Sequence, residues 1–197
     1  DDGTKFFELG FGQDGIRQYS ASTPYDITSL SSPNFTSISN IPTGFDFNDD
    51  GTQMHVLFNS TQIKGYNLNS AFDTSNLNQF ESFTPNGNAN TGFEWNNDGT
   101  KFYISGVELE QYTTSNPYSV ANASLDAAIS SYTQFVRLDG LTWNDDGSKF
   151  IVIDVDFSAN TIIKQFSVPT PYDVRNASLD ATISSQDNRG TGLTWNN

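Results

Sequence analysis

The sequence predicts an all-β protein, a four-bladed β-propeller in which each blade is a four-stranded antiparallel sheet of about 49 residues. A segment of the form Gly-apolar-X-aromatic-Asn starts at residues 44, 92, 140 and 192, and the spacings of 48, 48 and 52 residues each suit one blade. The fourth segment stops at the end of the chain and residues 1–7 supply its continuation, so four repeats account for all 197 residues. We therefore expect a single domain with blades at 192–197 plus 1–43, 44–91, 92–139 and 140–191.

Each repeat predicts its strands in the same order. The Gly-apolar-X-aromatic segment is the first strand, and an Asn/Asp-Gly pair then marks a tight turn, because glycine tolerates positive φ. The third strand carries an aliphatic residue three positions before an aromatic one, and a turn marked by Pro or Ser separates it from a weaker fourth strand. Pairing of residues 192–197 with the N-terminal segment is expected to close the ring. The second strands are predicted at 4–9, 52–58, 100–105 and 148–153, and fourth strands at, for example, 34–39 and 127–132.

The repeat has a recognisable consensus, Asp-Gly-Thr-Lys-aromatic followed by Gln-Tyr and Ser-Thr-Pro-Tyr-Asp, which is best matched at 98–106, 18–27 and 140–153. It resembles the propeller repeat of secreted bacterial and phage-encoded proteins, which is distantly similar to WD40-like and TolB-like propellers. Proteins with such repeats are mostly uncharacterised or serve as binding and surface modules, so the resemblance implies a fold and little chemistry. The second repeat departs most, with Met54 and His55 in its second strand.

Composition excludes several classes of function. Nine basic and 23 acidic residues give a net charge of −14, which argues against sequence-independent binding to nucleic acid and against binding to an anionic membrane surface. No apolar run is long enough to insert into a membrane, and the chain has no cysteine for a disulfide or a thiolate site. Ser, Thr and Asn make up nearly a third of the chain, a composition typical of extracellular, cell-surface or virion-surface proteins.

The sequence offers no catalytic constellation, so we expect a protein that is not an enzyme. The only histidine, His55, occupies a place that Phe7, Tyr103 and Ile151 hold in the other repeats, which favours a structural role. The Asp-rich turns lack the spaced third acid of a calcium loop and are expected to be hairpin turns. Asp154 and Asp156 are a slightly better cation candidate, with a solvated loop as the preferred interpretation.

A ring of polar residues is predicted near the propeller axis. The third position of the innermost strand holds two carboxylates and two hydroxyls, which could face one another and hold Ca²⁺, another cation or ordered water. Paired acids also serve glycosidases, but a narrow four-bladed channel would not admit a sugar. No cofactor is predicted beyond this candidate cation. The four residues are Asp46, Glu94, Thr142 and Thr194.

Two aromatic positions recur. The first lies at the end of the innermost strand and is expected to wedge between blades; it holds Phe47, Trp95, Trp143 and Trp195. The second lies in the turn after the third strand, beside polar groups, where an aromatic ring either holds a sugar or caps its own blade. The candidate ligand-facing residues are Tyr25, Phe72, Tyr118 and Tyr172.

Four Asn-X-Ser/Thr sequons predict glycosylation if the host modifies them. Asn122 and Asn176 occupy the same place in two repeats, in a turn expected to be exposed, and are the first candidates; Asn34 and Asn59 are the others.

We expect a non-enzymatic extracellular or surface module whose partner is another copy of itself or a glycan-bearing surface. The strand at 192–195 could complete the first blade of its own chain or that of a neighbour, which gives a closed monomer, a larger ring or a filament. One alternative is a lectin-like propeller that binds carbohydrate through the turn aromatics. A glycan-acting hydrolase is the third, and it would need Asp46, Glu94, Asp154 or Asp156 in an open cleft.

Overall fold

A computed structural model describes residues 2–10, 14–58, 61–86, 91–130, 137–155 and 161–184. They form a four-bladed β-propeller of antiparallel sheets, which confirms the predicted fold. Within these ranges no helix is long and apolar enough to cross a membrane. The predicted closing strand, residues 192–197, lies outside the described residues.

Each blade is a simple antiparallel meander; blades 2 to 4 run from the innermost strand outwards, and the described part of blade 1 begins at its second strand. Blade 1 consists of β1 (Lys5–Gly10), β2 (Gly15–Ser20) and β3 (Asn34–Ser37). Blade 2 consists of β4 (Pro42–Phe47), β5 (Gln53–Phe58), β6 (Gln62–Leu68) and β7 (Leu77–Phe83). Blade 3 consists of β8 (Gly92–Trp95), β9 (Lys101–Ser105), β10 (Glu108–Thr113) and β11 (Ser124–Ser130). Blade 4 consists of β12 (Leu138–Trp143), β13 (Lys149–Val155), β14 (Thr161–Ser167) and β15 (Ser178–Ser184).

The strand bounds follow the sequence prediction to within three residues; for example, β3 ends at Ser37 where 39 was predicted, and β13 ends at Val155 where 153 was predicted. The innermost strands β4 and β12 begin two residues before the repeat boundaries at 44 and 140. Strand β11 begins three residues before the predicted segment 127–132, because a β-bulge lets the pairing continue past Asp126.

The Asp-rich turns are built as hairpin turns. Asp98 Oδ1 accepts hydrogen bonds from the Thr100 amide (2.9 Å) and hydroxyl (2.5 Å), and Asn96 Oδ1 accepts from the Lys101 amide (2.9 Å). Gly99 adopts the left-handed φ of +68° that the turn requires. The same Asp-to-Thr or Asp-to-Ser bonds recur at Asp50 and Asp146. These side chains are therefore engaged in forming the turn.

The core lies between the blades. Contacts join β1 to β4, β4 to β8 and β8 to β12, and each hydrophobic cluster draws side chains from two successive blades. Phe102 and Phe150 occupy equivalent places and are fully buried; each ring stacks on the aromatic of the neighbouring third strand, with centroids 4.8 and 4.9 Å apart. A blade thus buries its apolar side chains only against its neighbours, as expected of a repeat architecture.

Replacing Gly99 with Ala tests this turn geometry. A Cβ there would lie 2.5 Å from the Tyr118 ring on a backbone of positive φ, so we expect a loss of about 2 kcal/mol in the free energy of unfolding, measured in urea. Gly10→Ala is the control, because its Cβ would approach the flexible end of Arg17 to 3.1 Å and the Gly15 carbonyl oxygen only to an ordinary contact distance of 3.6 Å. Equal losses in the two variants would contradict the account.

Candidate functional site

The two acids predicted near the axis join neighbouring innermost strands. Asp46 Oδ2 accepts a hydrogen bond from the Trp95 amide of the next blade (2.9 Å), while Oδ1 accepts from the Phe47 amide (2.8 Å). Glu94 repeats the link one blade on: its Oε1 accepts from the Trp143 amide (3.1 Å). Each carboxylate is therefore held by backbone N–H groups of β8 or β12.

Of the two threonines in the predicted ring, only Thr142 lies among the described residues. Thr142 lies beside Glu94, and its hydroxyl donates to Glu94 Oε1 (3.3 Å). Thr194 lies outside the described residues. No group of three His, Cys, Asp or Glu side chains that could hold a metal ion occurs in the described part of the chain.

Burial perturbs both carboxylates. Desolvation raises the pKa of Asp46 to about 7, and this outweighs the opposing effect of its two backbone hydrogen bonds. Desolvation and the neighbouring charge of Asp46 raise the pKa of Glu94 well above its ordinary value. The propeller centre thus holds two acids whose ionisation is unfavourable.

The second cation candidate is an internal ion pair. Asp154 is buried, accepts from Lys164 Nζ at 2.7 Å and also accepts from the Arg137 amide at 3.2 Å. Its predicted companion Asp156 lies outside the described residues. The charge of the Asp154 carboxylate is therefore balanced by Lys164, a residue of the same chain.

The turn aromatics of blades 3 and 4 cap their own hairpins. The ring of Tyr118 lies over Gly99 and packs on Trp95, with centroids 5.5 Å apart, and its hydroxyl donates to the Asn97 carbonyl (2.7 Å). Tyr172 repeats this arrangement on Trp143. These tyrosines have left-handed φ values of 54° and 58°, held by a hydrogen bond from each amide to the turn glycine.

The other two turn aromatics share the backbone conformation and differ in exposure. Phe72 packs on Phe47, with centroids 5.2 Å apart. Tyr25 is 74% exposed, although it too lies over its turn glycine, Gly3. The expected partner of Tyr25 in the repeat, Trp195, lies outside the described residues.

His55 is a buried structural residue of the interface between blades 2 and 3. The Trp95 indole N–H donates to His55 Nδ1 (3.3 Å), so Nε2 carries the proton and donates to Glu81 Oε1 at 2.8 Å. The imidazole ring packs on Trp95, with centroids 5.1 Å apart. Tyr103 occupies the same place in blade 3 and packs on Trp143, also at 5.1 Å.

A hydrogen bond that we call the turn latch recurs at all three described interfaces between blades. A side-chain oxygen of one blade accepts from a backbone amide in the turn of the next blade, and the donor residue is almost fully buried. The pairs are Gln18 Oε1 with the Thr74 amide (2.7 Å), Glu81 Oε1 with the Val120 amide (2.9 Å) and Gln111 Oε1 with the Val174 amide (2.9 Å).

In blade 2 the acceptor of the turn latch comes from the fourth strand of the blade and not from the third. In blade 3 the latch residue Gln111 lies opposite Ala127, whereas in blade 2 Gly65 lies opposite Glu81. A Cβ on Gly65 would approach Glu81 Cγ to 2.7 Å, so the glycine makes room for the acid. Hydrogen bonds from His55, Ser119 and Val120 outweigh desolvation and lower the pKa of Glu81.

Sequence reasoning missed Glu81, although a signal for it was present. The residue before the third-strand aromatic is Gln18, Gln111 or Gln165 in three repeats and Gly65 in the second. A missing acceptor in one repeat points to a replacement on an adjacent strand.

The two ends of the blade series expose surfaces that are buried everywhere else. We call the face of a blade that packs on the preceding blade its leading face, and the opposite one its trailing face. On the leading face of blade 1, Phe6 is 47% and Ile27 75% exposed. Their equivalents in blades 2 to 4 are at most 1% exposed, namely Met54, Phe102 and Phe150 for Phe6, and Thr74, Val120 and Val174 for Ile27.

The trailing face of blade 4 is exposed in the same way. Ile183 is 64% exposed, whereas its equivalents Phe83 and Ile129 pack into the cores shared with the following blades. Three of the sequons are also on the surface: Asn34, Asn122 and Asn176 are exposed. Asn59 lies outside the described residues.

Comparison with known proteins shows the fold and no closer kinship. No family model and no curated protein matches the chain. One chain of a nidogen–laminin complex superposes with a TM-score of 0.63 and 13% identity over 96% of this chain and 65% of its own. The β-propeller domain of Cps50 (Swd1) from Myceliophteria thermophila superposes with a TM-score of 0.59 and 9% identity, over 93% of this chain and 56% of its own. The periplasmic gluconolactonase PpgL of Pseudomonas aeruginosa superposes with a TM-score of 0.56 and 13% identity, over 92% of this chain and 50% of its own. The chain thus spans about half to two thirds of the length of these three matched chains.

The raised pKa of Asp46 predicts a pH-dependent stability. Between its unfolded value near 3.8 and its folded value of about 7, the folded state binds more protons, so this group's contribution to stability falls as the pH rises through that window. Asp46→Asn keeps an oxygen for the Trp95 amide and removes the ionisation. We therefore compare the melting temperature of this variant with that of the natural chain at each pH. The difference between the two should shift in favour of the variant by several degrees between pH 5 and pH 8.

Asp50→Asn is the control for this experiment. Hydrogen bonds from Thr52 lower the pKa of Asp50, so its replacement should cost stability at neutral pH. Parallel melting profiles of the natural chain and Asp46→Asn across pH 5–8 would contradict the proposed burial of charge.

The replacement of a third-strand glutamine by Gly65 and Glu81 in blade 2 predicts that mutational changes in the free energy of unfolding at these positions are not additive. Glu81→Ala alone leaves the Val120 amide without its acceptor and should cost about 3 kcal/mol in unfolding free energy, while Gly65→Gln alone creates a clash. The triple variant His55→Tyr, Gly65→Gln, Glu81→Ala reproduces the blade 3 set. We expect it to be at least about 1 kcal/mol more stable than the sum of the single changes implies, as measured by urea unfolding. Additive single-variant losses would refute this replacement.

Proposed function

We propose that this chain is a non-enzymatic structural module of an extracellular, cell or virion surface, and that it works by binding another copy of itself. The observation that carries this proposal is the exposure of Ile27 and Phe6 at one end of the blade series and of Ile183 at the other. Large apolar side chains at places that the same repeat otherwise buries mark a surface for association.

The placement of the acids supports a role without catalysis. Asp46 and Glu94 accept hydrogen bonds from backbone amides, and Asp154 is paired with Lys164. His55 has both ring nitrogens engaged inside an interface between blades. Each of these groups has a structural partner, and none of them is presented with a base or nucleophile to an open cleft. The likeness to a gluconolactonase, at 13% identity, concerns the fold.

An extracellular or surface location is supported by composition and by surface chemistry. The repeat resembles that of secreted bacterial and phage-encoded propellers, and the net charge of −14 keeps such a surface soluble. The exposed sequons at Asn34, Asn122 and Asn176 offer sites for glycans in a host that glycosylates.

A lectin-like function is the second candidate, favoured by one specific feature. The exposed ring of Tyr25 borders a cavity of about 230 Å³ that Asp26, Lys5 and Phe6 also line. An aromatic face beside charged groups suits a sugar. A glycan screen of the natural chain and Tyr25→Ala separates the candidates: carbohydrate binding that is lost in the variant favours the lectin, and no binding at all removes it.

Self-association is tested by the solution mass from light scattering over a concentration series. We expect the mass to rise above the 21.7 kDa of one chain and the association to strengthen with added salt, because two copies of charge −14 repel each other less when screened. A mass of one chain at every concentration and ionic strength would contradict the proposal.

A further inference from the structure

We infer that the interface between blades 2 and 3 is sensitive to pH: it is closed while His55 is neutral and loosens in acid, when the imidazole takes up a second proton. The inference is independent of self-association, because it concerns side chains in the interior of the described part of the chain. It goes beyond the proposed function by naming a condition, acidification, that changes how firmly two blades are held together.

The first argument is the hydrogen bond between His55 and Trp95, which exists only while the imidazole is neutral. Asp46 and His55 lie directly opposite each other on β4 and β5, so their side chains share one face of blade 2. Asp46 Oδ2 accepts from the Trp95 amide (2.9 Å), and His55 Nδ1 accepts from the indole N–H of the same tryptophan (3.3 Å). Because Nδ1 accepts only without a proton, one of the two bonds that fix Trp95 to blade 2 requires neutral imidazole.

The other ring nitrogen of His55 is already engaged. Nε2 donates to Glu81 Oε1 at 2.8 Å, and the imidazole is fully buried. A second proton therefore places the Nδ1 N–H against the indole N–H of Trp95, so that two buried donors face each other without an acceptor. The imidazolium gains attraction to the Glu81 carboxylate, but the removal of its charge from water offsets that attraction. The interface consequently loses more than it gains.

Glu81 connects this imidazole to the turn of blade 3. Its Oε1 also accepts from the Val120 amide (2.9 Å), which is the turn latch of this interface. A movement of His55 therefore displaces the carboxylate on which the latch depends. The Trp95 ring packs on Tyr118 of the same turn, with centroids 5.5 Å apart. One proton thus affects both the tryptophan and the turn through which blade 3 contacts blade 2.

Other titratable groups lie on the elements packed against His55, and one of them titrates in the same range. Glu81 forms the hydrogen bond described above, whereas Lys64 lies over the ring of Phe58, 5.1 Å from its centroid, and Glu94 is held by blade 4. Burial raises the pKa of Asp46 to about 7, so this acid also takes up a proton as the pH falls, and the experiment has to cancel its effect. The complete set is Asp46 of β4, Lys64 and Tyr66 of β6, Glu81 of β7, Glu94 of β8 and Tyr118 of the blade 3 turn.

The interface between blades 3 and 4 supplies an internal control. Tyr103 occupies the place of His55, and Trp143 that of Trp95. The indole N–H of Trp143 is buried, and none of the described residues accepts a hydrogen bond from it. Both interfaces retain the link from an innermost-strand carboxylate to the tryptophan amide. They therefore differ in the imidazole, and acid should leave the Trp143 indole unchanged.

The first measurement follows the indole N–H resonances of the isotope-labelled, folded chain between about pH 7.5 and pH 5, the range in which imidazoles ordinarily titrate. Dividing the solvent exchange rate of the Trp95 indole N–H by that of Trp143 removes the intrinsic effect of pH on exchange. We expect this ratio to rise about tenfold in acid, because the hydrogen bond to His55 is lost.

The second measurement compares melting temperatures with a chain that lacks the imidazole. His55→Gln offers a donor for Glu81 and an acceptor for the Trp95 indole without titrating, and it keeps Asp46, whose effect cancels in the comparison. The triple variant His55→Tyr, Gly65→Gln, Glu81→Ala is a second such chain. We expect the natural chain to lose several degrees relative to either variant as the pH falls through this range, because unfolded chain binds a proton that the closed interface does not accommodate.

A rise of the Trp95-to-Trp143 exchange ratio in acid, together with a loss of melting temperature that is specific to the natural chain, supports the inference. An exchange ratio that stays constant with pH overturns it. So does a melting temperature of the natural chain that falls no further in acid than that of His55→Gln, since the imidazolium would then be accommodated in the closed interface.

Discussion

The hydrogen bond from a turn amide to a side-chain oxygen of the preceding blade is the interaction on which the rest of this structure depends. In the described residues no backbone ladder joins one blade to the next, so side-chain contacts largely set the position of a blade. One backbone hydrogen bond, from the Leu138 amide to the Gly106 carbonyl (2.8 Å), joins blades 3 and 4. The turn latch fixes the turn, and the turn carries the aromatic residue that covers the hairpin glycine and supports the innermost tryptophan, as Val120, Tyr118 and Trp95 show in blade 3. An unsatisfied buried amide would cost about 1–3 kcal/mol at each interface, so an acceptor is required even where the repeat has lost its glutamine.

The propeller and its strands could be predicted from sequence because the fold is repeated. The spacing of four glycine-led segments and the Asp-Gly turns give blade size, blade number and strand order without tertiary information. The carboxylates at Asp46 and Glu94 were placed correctly on the innermost strands, but their partners were not foreseen, since a backbone amide leaves no signature in the sequence. The role of Glu81 was missed because it depends on a side chain crossing from the fourth strand into the space vacated at Gly65.

The same dependence on neighbours explains where exposed apolar surface appears. Within the chain, each leading face is covered by the blade before it, and side chains such as Phe102 and Val120 are fully buried. On the leading face of blade 1 and the trailing face of blade 4, the large apolar side chains of Phe6, Ile27 and Ile183 are exposed.

Amide hydrogen exchange, resolved residue by residue and measured at several protein concentrations, tests how the interfaces between blades are held and whether the chain self-associates. We expect the amides of Thr74, Val120 and Val174 to exchange slowly at every concentration, because their acceptors lie within the chain. With the proposed self-association, the amide of the exposed Ile27 exchanges rapidly in dilute solution and becomes protected as the concentration rises. Protection of Ile27 that does not change with concentration would contradict it.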